Sequence, residues 1–289
     1  MPAYFHTELS LGASVRFRQI PRLFRQETMI WTRARPVRPL TLNHLHIQGP
    51  IKYSDAQGIH DKLVRKFLDC KKEGKETPDP VLLTFQMQPV YTMGRRQGKE
   101  DALLETPNHR ETKSEPSDEP IDVSKADIAH TLRGGETTFH GPGQIVAYPI
   151  LDLLQFRKIN DDGSDSALSP KCYISLLESS IISALAQYQI FTTRTENTGV
   201  WTMDGESKIA AVGVNIRRNI TSHGICLNVN NNLSWFDHIV PCGLDEKKVT
   251  NVHEQGPPVK YEEVVHDYAY SLASYLDVNY KRVEKEAQA

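Results

Sequence analysis

The stretch RGGETTFHGPGQ (residues 133–144) joins two apolar runs at residues 128–132 and 145–151. Four of its twelve residues are glycine, which permits positive φ and the close approach of a ligand or of another backbone. Backbone N–H groups exposed in such a turn can bind a carbonyl or phosphate oxygen. Arg133 and His140 add a fixed charge and a titratable group. By composition alone, a substrate-binding turn and an ordinary strand connection fit equally well.

Hydrophobic periodicity on either side of this turn predicts three helices. They are expected at about residues 54–70, 170–188 and 261–276, where apolar residues recur at helical spacing. Ser54, followed three residues later by Gln57, has the pattern of a capping box for the first helix.

Strands are expected at residues 81–85, 209–216 and 220–229, with Asp204-Gly205 as a hairpin turn before the second of them. Strands combined with a few long helices predict an α/β or α+β fold, in which helices cover a sheet.

Composition limits the class of protein. The chain has 289 residues, 39% hydrophobic and 24% charged, as is typical of globular domains. No run approaches the roughly 20 apolar residues that a membrane-spanning helix needs. The four cysteines form no Cys-x-x-Cys pair, so the sequence predicts neither a zinc site nor a disulfide scaffold.

The charge distribution predicts an N-terminal leader. Residues 1–39 contain seven arginines and two acidic residues, which gives +5, whereas the remaining residues carry −7. An arginine-rich leader poor in acidic residues is typical of a mitochondrial transit peptide. A basic arm that binds nucleic acid or anionic lipid is the alternative, but no nucleic-acid module follows.

The polar segments suggest a division of the chain. We predict a leader at 1–39, one main domain at 40–280 and a tail at 281–289. Residues 105–127 and 157–169 are polar and charged, and we interpret them as insertions at the surface of the main domain.

Two further segments contain candidate chemical groups. Lys208 begins the run KIAAVG; it is either a surface lysine at a strand edge or a partly desolvated ammonium that releases its proton more readily. Cys242 lies between a proline and a glycine, in a turn that leaves space beside the sulfur. A buried, inert thiol is the commoner fate of a free cysteine, and Cys70, Cys172 and Cys226 fit it well.

Taken in order, these segments resemble the octanoyltransferase, or lipoyl(octanoyl) transferase, family of mitochondrial and fungal type. The matching segments are RGGETTFHGPGQ at 133–144, YPILDL at 148–153, KIAAVGV at 208–214, HGICLNVN at 223–230 and PCG at 241–243, with PVYTMGR at 89–95. The resemblance extends over about residues 40–276. One departure is the sequence Gln86-Met87-Gln88, where the family often has Glu-His before Pro-Val-Tyr-Thr.

The resemblance implies the fold of biotin and lipoate protein ligases, with a mixed sheet flanked by helices. It implies an octanoyl thioester on Cys242, with Lys208 lowering the pKa of that thiol and acting as acid and base. It implies no cofactor and no metal. The residues that it implies for substrate binding are Arg133, Gly134, Gly135, Glu136, Thr137, Thr138, Phe139, His140, Ala211, Val212, Gly213, Gly224, Ile225 and Cys226.

The implied reaction moves octanoyl from acyl carrier protein to a lysine of lipoyl domains, in the mitochondrial matrix. The implied acceptors are the glycine cleavage H protein and the E2 subunits of 2-oxoacid dehydrogenases. Thioester exchange is nearly balanced and amide formation is downhill, so no ATP is needed. Three alternatives stay open: an ATP-dependent ligase, an amidotransferase between lipoyl domains, and a non-catalytic acyl-protein binding module.

Overall fold

The computed structural model describes residues 32–95, 121–160, 162–239 and 247–283. These residues form fifteen strands and four α-helices. The strands are β1 (Arg33–Pro36), β2 (Thr41–Ile51), β3 (Val81–Met87), β4 (Val90–Met93), β5 (Asp127–His130), β6 (Thr138–His140), β7 (Gln144–Ile150), β8 (Phe156–Ile159), β9 (Asp165–Ala167), β10 (Thr192–Thr193), β11 (Val200–Thr202), β12 (Ser207–Arg217), β13 (Ile220–Asn228), β14 (Lys248–Val249) and β15 (Asn279–Val283). The helices are α1 (Tyr53–Lys72), α2 (Pro170–Ala186), α3 (Val252–Gln255) and α4 (Tyr261–Leu276).

One large mixed sheet organises the fold. Its strand order is β10-β11-β12-β13-β7-β3-β2-β15, and β14 adds to β12. The pairs β15–β2, β2–β3 and β12–β14 are parallel, whereas the other neighbours are antiparallel. The predicted α/β (α+β) class, with a mixed sheet flanked by helices, is therefore confirmed.

Helices α2 and α4 cover one face of this sheet. Alternate residues of the strands point to them, among them Leu82, Ile145 and Leu227, all fully buried. The hydroxyl of Ser271 on α4 donates to the Ser180 carbonyl on α2 at 2.8 Å, which fixes the two helices against each other. The periodicity predicted both helices; α4 matches the expected bounds, and α2 ends at Ala186.

Helix α1 covers the opposite face. The strand residues that point away from α2 and α4, such as Leu83, Phe85 and Val146, pack on this face with Ala56 of α1. The predicted capping box is wrong, because the helix begins one residue before Ser54 and its N-cap, Lys52, makes no side-chain capping bond. The fold holds this helix through its buried side chains, so its start does not require a cap.

The predicted domain boundaries differ from the structure at both ends. Strand β1 lies within the predicted leader, pairs with β8 and buries Ala34 completely. Strand β15 extends into the predicted tail and pairs with β2. Residues 1–31 and 284–289 lie outside the described residues, and the transit peptide stays a prediction.

The polar segment at 157–169 is part of a small sheet. Its strands β8 and β9 pair antiparallel beside β1, and Asp165 forms ion pairs with Arg35 and Arg157. Its polarity comes from an exposed hairpin. Most of the other predicted insertion, 105–127, lies outside the described residues.

The position of the glycine-rich turn is set by a third sheet. Strand β4 lies between β5, which is parallel to it, and β6, which is antiparallel. Residues 131–137 connect β5 to β6 and therefore lie at the end of this sheet. None of the helices in the described part of the chain combines the length and hydropathy required to span a membrane.

Candidate active site

A cavity of about 430 Å³ lies between the glycine-rich turn and strands β12 and β13. The two strands pair so that Ala211 faces Cys226 and Gly213 faces Gly224. The cavity is lined by Arg133, Gly134, Gly135, Thr138, His140, Tyr148, Ala211, Val212, Gly213, His223, Gly224, Ile225 and Cys226. Segments separated by up to 93 positions in the sequence therefore form one site.

A second cavity, of about 300 Å³, contains Lys208. It shares Thr138, Ala211 and Cys226 with the first, so the two are contiguous. Phe139 lines this second cavity. Glu136 and Thr137, which the resemblance assigned to substrate binding, line neither cavity.

A β-bulge turns Lys208 toward the cavity. Strand β11 pairs Val200 with Ala210 and Trp201 with Lys208, so one extra residue, Ile209, is inserted in β12. Side chains of a regular strand alternate between faces, and Lys208 and Ala211, three apart, would point to opposite sides. The inserted residue reverses this alternation, as bulges next to functional sites often do.

Lys208 is buried, with 7% of its surface exposed. Its Nζ lies 4.8 Å from the centroid of the Trp201 ring. Among the residues that the structure describes, no carboxylate lies within ion-pair distance of this ammonium. Burial therefore removes most of the water around this side chain.

Arg133 has a different environment. Its guanidinium donates to the Thr92 carbonyl at 2.6 Å, to the Thr92 hydroxyl at 2.9 Å and to the Gly134 carbonyl at 3.1 Å. Gly94 lets the turn approach the residue after β4, because a Cβ at Gly94 would lie 2.1 Å from the Gly135 oxygen. Arg133 thus fixes the turn and leaves its charge at the cavity wall.

Buried histidines near this wall are held neutral. Burial lowers the pKa of His140 to about 3, and the charges of Arg133 and His223 add to the effect. Burial likewise lowers the pKa of His223 to about 3, assisted by His60 and Arg133. Nδ1 of His140 lies 3.3 Å from Sγ of Cys226. An imidazole this weakly basic cannot draw a proton from that thiol, which favours the inert role predicted for Cys226.

His223 also has an unusual backbone. Its φ is +57°, a region that costs a residue with a side chain of order 1 kcal/mol. Nε2 of His60 on α1 accepts from the His223 backbone N–H at 3.3 Å. The rings of His60 and Tyr148 pack against the His223 ring at 4.9 Å and 5.3 Å. These contacts hold the strained residue at the end of the cavity.

Because the pKa values of the buried histidines are lowered, the protein is expected to lose stability in acid. His140, His223 and also His44, whose pKa burial lowers to about 3, stay neutral in the folded protein down to that pH. In the unfolded chain they take up protons near pH ~6.5. Unfolding therefore binds protons between these values, and each histidine removes up to about 1.4 kcal/mol of stability per pH unit as the pH falls.

Urea unfolding at a series of pH values measures this slope. The variant His44→Gln keeps a group able to bond the Thr84 hydroxyl, 2.7 Å from His44 Nε2, but cannot titrate. Its stability is expected to fall less steeply below pH ~6.5 than that of the parent. Equal slopes in the two proteins would contradict the assignment of His44.

Three amide side chains hold the HGPG turn in place. Gln144 accepts from the Gly141 N–H at 2.9 Å and donates to Asn228 at 2.8 Å. Gln86 accepts from the Gly143 N–H at 2.8 Å, so the departure noted at this position supplies an acceptor for the turn. Asn228 also donates to the Thr250 carbonyl at 2.9 Å and links the turn to the residue after β14.

Sequence reasoning missed several residues of the site. Trp201, Tyr148 and His60 belong to elements without a glycine-rich signal, and they reach the site only through the packing of β11, β7 and α1. Cys242 lies outside the described residues, in the segment 240–246. The described residues on either side of this segment include Phe236 and Val249, which both line the Lys208 cavity.

Comparison with known proteins places the chain among enzymes of lipoyl metabolism. The family model for the lipoyl protein ligase A/B catalytic domain matches residues 53–273. The chain is 38% identical to a "Probable octanoyltransferase" of Schizosaccharomyces pombe, with 78% of this chain and 91% of the relative covered. It is 34% identical to the mitochondrial octanoyltransferase of Kluyveromyces lactis, with 84% and 82% covered.

A vertebrate relative gives a fuller name. The chain is 36% identical to the mitochondrial octanoyl-[acyl-carrier-protein]:protein N-octanoyltransferase of Danio rerio, with 72% of this chain and 80% of the relative covered. Among solved structures, a lipoate-protein ligase A bound with ATP superposes with a TM-score of 0.59 at 12% identity, covering 86% of this chain and 90% of the other. That likeness is one of fold.

Proposed function

Because this chain belongs to the lipoyl protein ligase A/B catalytic domain family and to its octanoyltransferases, we propose that it transfers octanoyl from acyl carrier protein to a lysine of lipoyl domains. The name of the Danio rerio relative describes this donor and this type of acceptor. The transfer proceeds in two steps through a thioester on Cys242.

The surroundings of Lys208 carry the proposal. Its ammonium faces a cavity, is buried, and has no carboxylate partner among the described residues. Phe236, six residues before Cys242, and Val249, seven residues after it, both line that cavity. Val249 is moreover the strand partner of Lys208 across β14 and β12. Described residues before and after the segment that contains Cys242 therefore line the cavity of the proposed base.

In the first step the Cys242 thiolate attacks the carbonyl carbon of the octanoyl thioester. A thiol with a pKa near ~8.5 is only a few per cent ionised at pH ~7, so a neighbouring ammonium favours the reactive form. The carbon–sulfur bond to the carrier breaks, and the carrier's thiolate leaves with a proton from Lys208. Octanoyl is then attached to Cys242.

In the second step the amine of the acceptor lysine attacks the Cys242 thioester. Lys208, now neutral, takes the proton that the amine loses as the amide bond forms. The Cys242 thiolate leaves and regains its ammonium neighbour. One thioester is exchanged for another and then for a more stable amide, so the cycle balances without ATP.

The larger cavity suits an uncharged acyl chain. Its histidines, His140 and His223, are neutral at physiological pH. The charge of Arg133 is directed into the carbonyls of Thr92 and Gly134. Gly213 and Gly224 face each other on β12 and β13, and because they carry no side chains they leave room beside the cavity wall.

The names of the relatives and the predicted leader support a proposal for location and partners. The Kluyveromyces and Danio relatives are named as mitochondrial, and the leader predicted at residues 1–39, with seven arginines and two acidic residues, has the composition of a transit peptide. We place the activity in the mitochondrial matrix, with the glycine cleavage H protein and the E2 subunits of 2-oxoacid dehydrogenases as acceptors.

The intact mass of the protein tests the reaction. Incubation with octanoyl-acyl carrier protein, without ATP, is expected to add one octanoyl group, which is absent in Cys242→Ala. The matched control is Cys172→Ala on α2, a partly buried cysteine that lines neither cavity; this variant is expected to keep the adduct. An adduct that persists in Cys242→Ala would overturn the proposed nucleophile.

The same assay separates the alternatives. A strict ATP requirement for modifying a lipoyl domain would favour a ligase. Transfer from octanoyl-lipoyl domain but not from the carrier would favour an amidotransferase. Binding of the octanoyl carrier without adduct or transfer would favour a binding module.

A further inference from the structure

We propose that Trp201 is a positioning residue whose indole face stabilises the ammonium of Lys208. The inference deepens the proposed function, since it concerns the base of the same site. It rests on contacts between described residues and does not depend on the position of Cys242.

The geometry of the pair is well defined. Nζ of Lys208 lies 4.8 Å from the centroid of the Trp201 ring, within the distance at which an aromatic face attracts a cation. The two residues are also strand neighbours on β12 and β11. The Trp201 side chain is fully buried, and its Nε1–H donates to the Asn197 carbonyl at 2.9 Å. The ring therefore cannot easily turn away from the ammonium.

Gly199 permits this arrangement. Its φ is +131°, and a Cβ there would lie 3.2 Å from Cε and 3.3 Å from Cδ of Lys208, and 2.8 Å from the Ala210 oxygen. A larger residue would displace the lysine stem. The absence of a side chain at Gly199 thus leaves space for the Lys208 stem, whose Nζ lies over the indole.

Glu178 on α2 is a charged group that contacts the backbone at Gly199. Its Oε1 accepts from the Gly199 N–H at 2.9 Å, and it is outside ion-pair distance of Lys208. Burial raises its pKa, whereas the Gly199 hydrogen bond, Arg194 and Lys208 oppose that rise. From the other elements around the cavity, β13 contributes the thiol of Cys226, and Phe236, Asn228 and Val249 contribute no charge.

An aromatic face and a carboxylate would have different consequences for the lysine. A buried ion pair holds the proton strongly and leaves a poor acid. An aromatic face offsets part of the desolvation of the ammonium without neutralising it. Lys208 can then be protonated beside a thiolate, release its proton to the leaving group in the first step and accept one from the acceptor amine in the second.

Competitive labelling of amines with acetic anhydride tests the inference directly. The purified full-length protein is labelled across a pH series, and the peptide containing Lys208 is followed by mass spectrometry. Removing the indole makes the buried ammonium less stable, so the labelling midpoint of Lys208 is expected to move about one pH unit lower in Trp201→Leu. In Trp201→Phe, which keeps a weaker aromatic face, a smaller shift in the same direction is expected.

Trp235→Phe is the matched control. Trp235 stacks on Phe139 at 4.9 Å, near the same cavity but without contact with Lys208, and its removal is expected to leave the midpoint unchanged. In parallel, the alkaline limb of the rate of adduct formation is expected to move with the midpoint. A purely structural role for Trp201 would lower the rate at every pH without moving either curve.

The outcomes are separable from those of the proposed function. Labelling reports the proton on Lys208 whether or not octanoyl is transferred, and Trp201→Phe remains informative if Trp201→Leu fails to fold. An unchanged or raised midpoint in both Trp201 variants would overturn the inference. A lowered midpoint in a protein that forms no adduct would support it while rejecting the thioester mechanism.

Discussion

Lys208→Met is expected to lower octanoyl transfer by about three orders of magnitude at neutral pH, the range found when a positioned acid–base group is removed. Methionine has a length similar to that of lysine and can lie on the Trp201 ring, but it carries no charge and no proton. The variant loses both the ammonium that favours the thiolate and the base that accepts the proton of the acceptor amine. Both half-reactions are therefore expected to slow.

Rates of adduct formation and of transfer to a lipoyl domain, measured separately, test this expectation. Lys248→Met is the matched control, because Lys248 is exposed on β14 next to the strand partner of Lys208, and it is expected to retain activity within about twofold. The melting temperature of Lys208→Met should change little, since no carboxylate among the described residues loses a partner. A variant with more than a tenth of the parent activity would contradict the role of Lys208.

Local signals predicted the helices and several strands well. The apolar stripe of α4 gave its bounds, because one face of that helix is buried along its whole length. The Asp204-Gly205 turn was predicted between β11 and β12, where Asp204 accepts from the Glu206 N–H at 3.0 Å. The start of α1 was not predicted correctly. A Ser-x-x-Gln pattern can occur without capping where buried side chains fix the position of the helix.

Long-range pairing could not be predicted from local patterns. Strands β1 and β15 have short sequences without clear alternation, and they are strands because β8 and β2 offer them partners. The same applies to the site. Ordered motifs indicated which segments take part, but the bulge at Ile209, which turns Lys208 to the cavity, depends on the register of β11 against β12.

The site keeps two cations in separate roles. Arg133 donates to the Thr92 carbonyl on β4 and to the Gly134 carbonyl in the turn, which fixes the cavity wall. Lys208 instead lies over the face of the Trp201 ring. The buried histidines of the larger cavity, His140 and His223, are neutral. The chemistry proposed for Lys208 belongs to the smaller cavity, which Phe236 and Val249 also line.

Gly224→Ala is expected to cause a large loss of stability. A Cβ at Gly224 would lie 2.2 Å from the Ala147 carbonyl oxygen and 2.6 Å from Cδ of Pro149. These atoms belong to β7, which pairs with β13 beside this position, so the clash can be relieved only by separating two central strands. We expect a loss of about 3 kcal/mol or more, seen in thermal unfolding as a fall of about 10 °C.

Gly58→Ala provides the control for adding a methyl group to a glycine. Gly58 lies inside α1, and a Cβ there would meet no atom within 4 Å. Alanine is the better helix former, so this variant is expected to gain about 0.5–1 kcal/mol and to keep its activity. The two variants change the unfolded chain in the same way, and their difference therefore measures the close approach of β13 to β7. A stability of Gly224→Ala within 1 kcal/mol of the parent, taking ~1 kcal/mol as an ordinary mutational effect, would mean that the strand pair can separate at little cost.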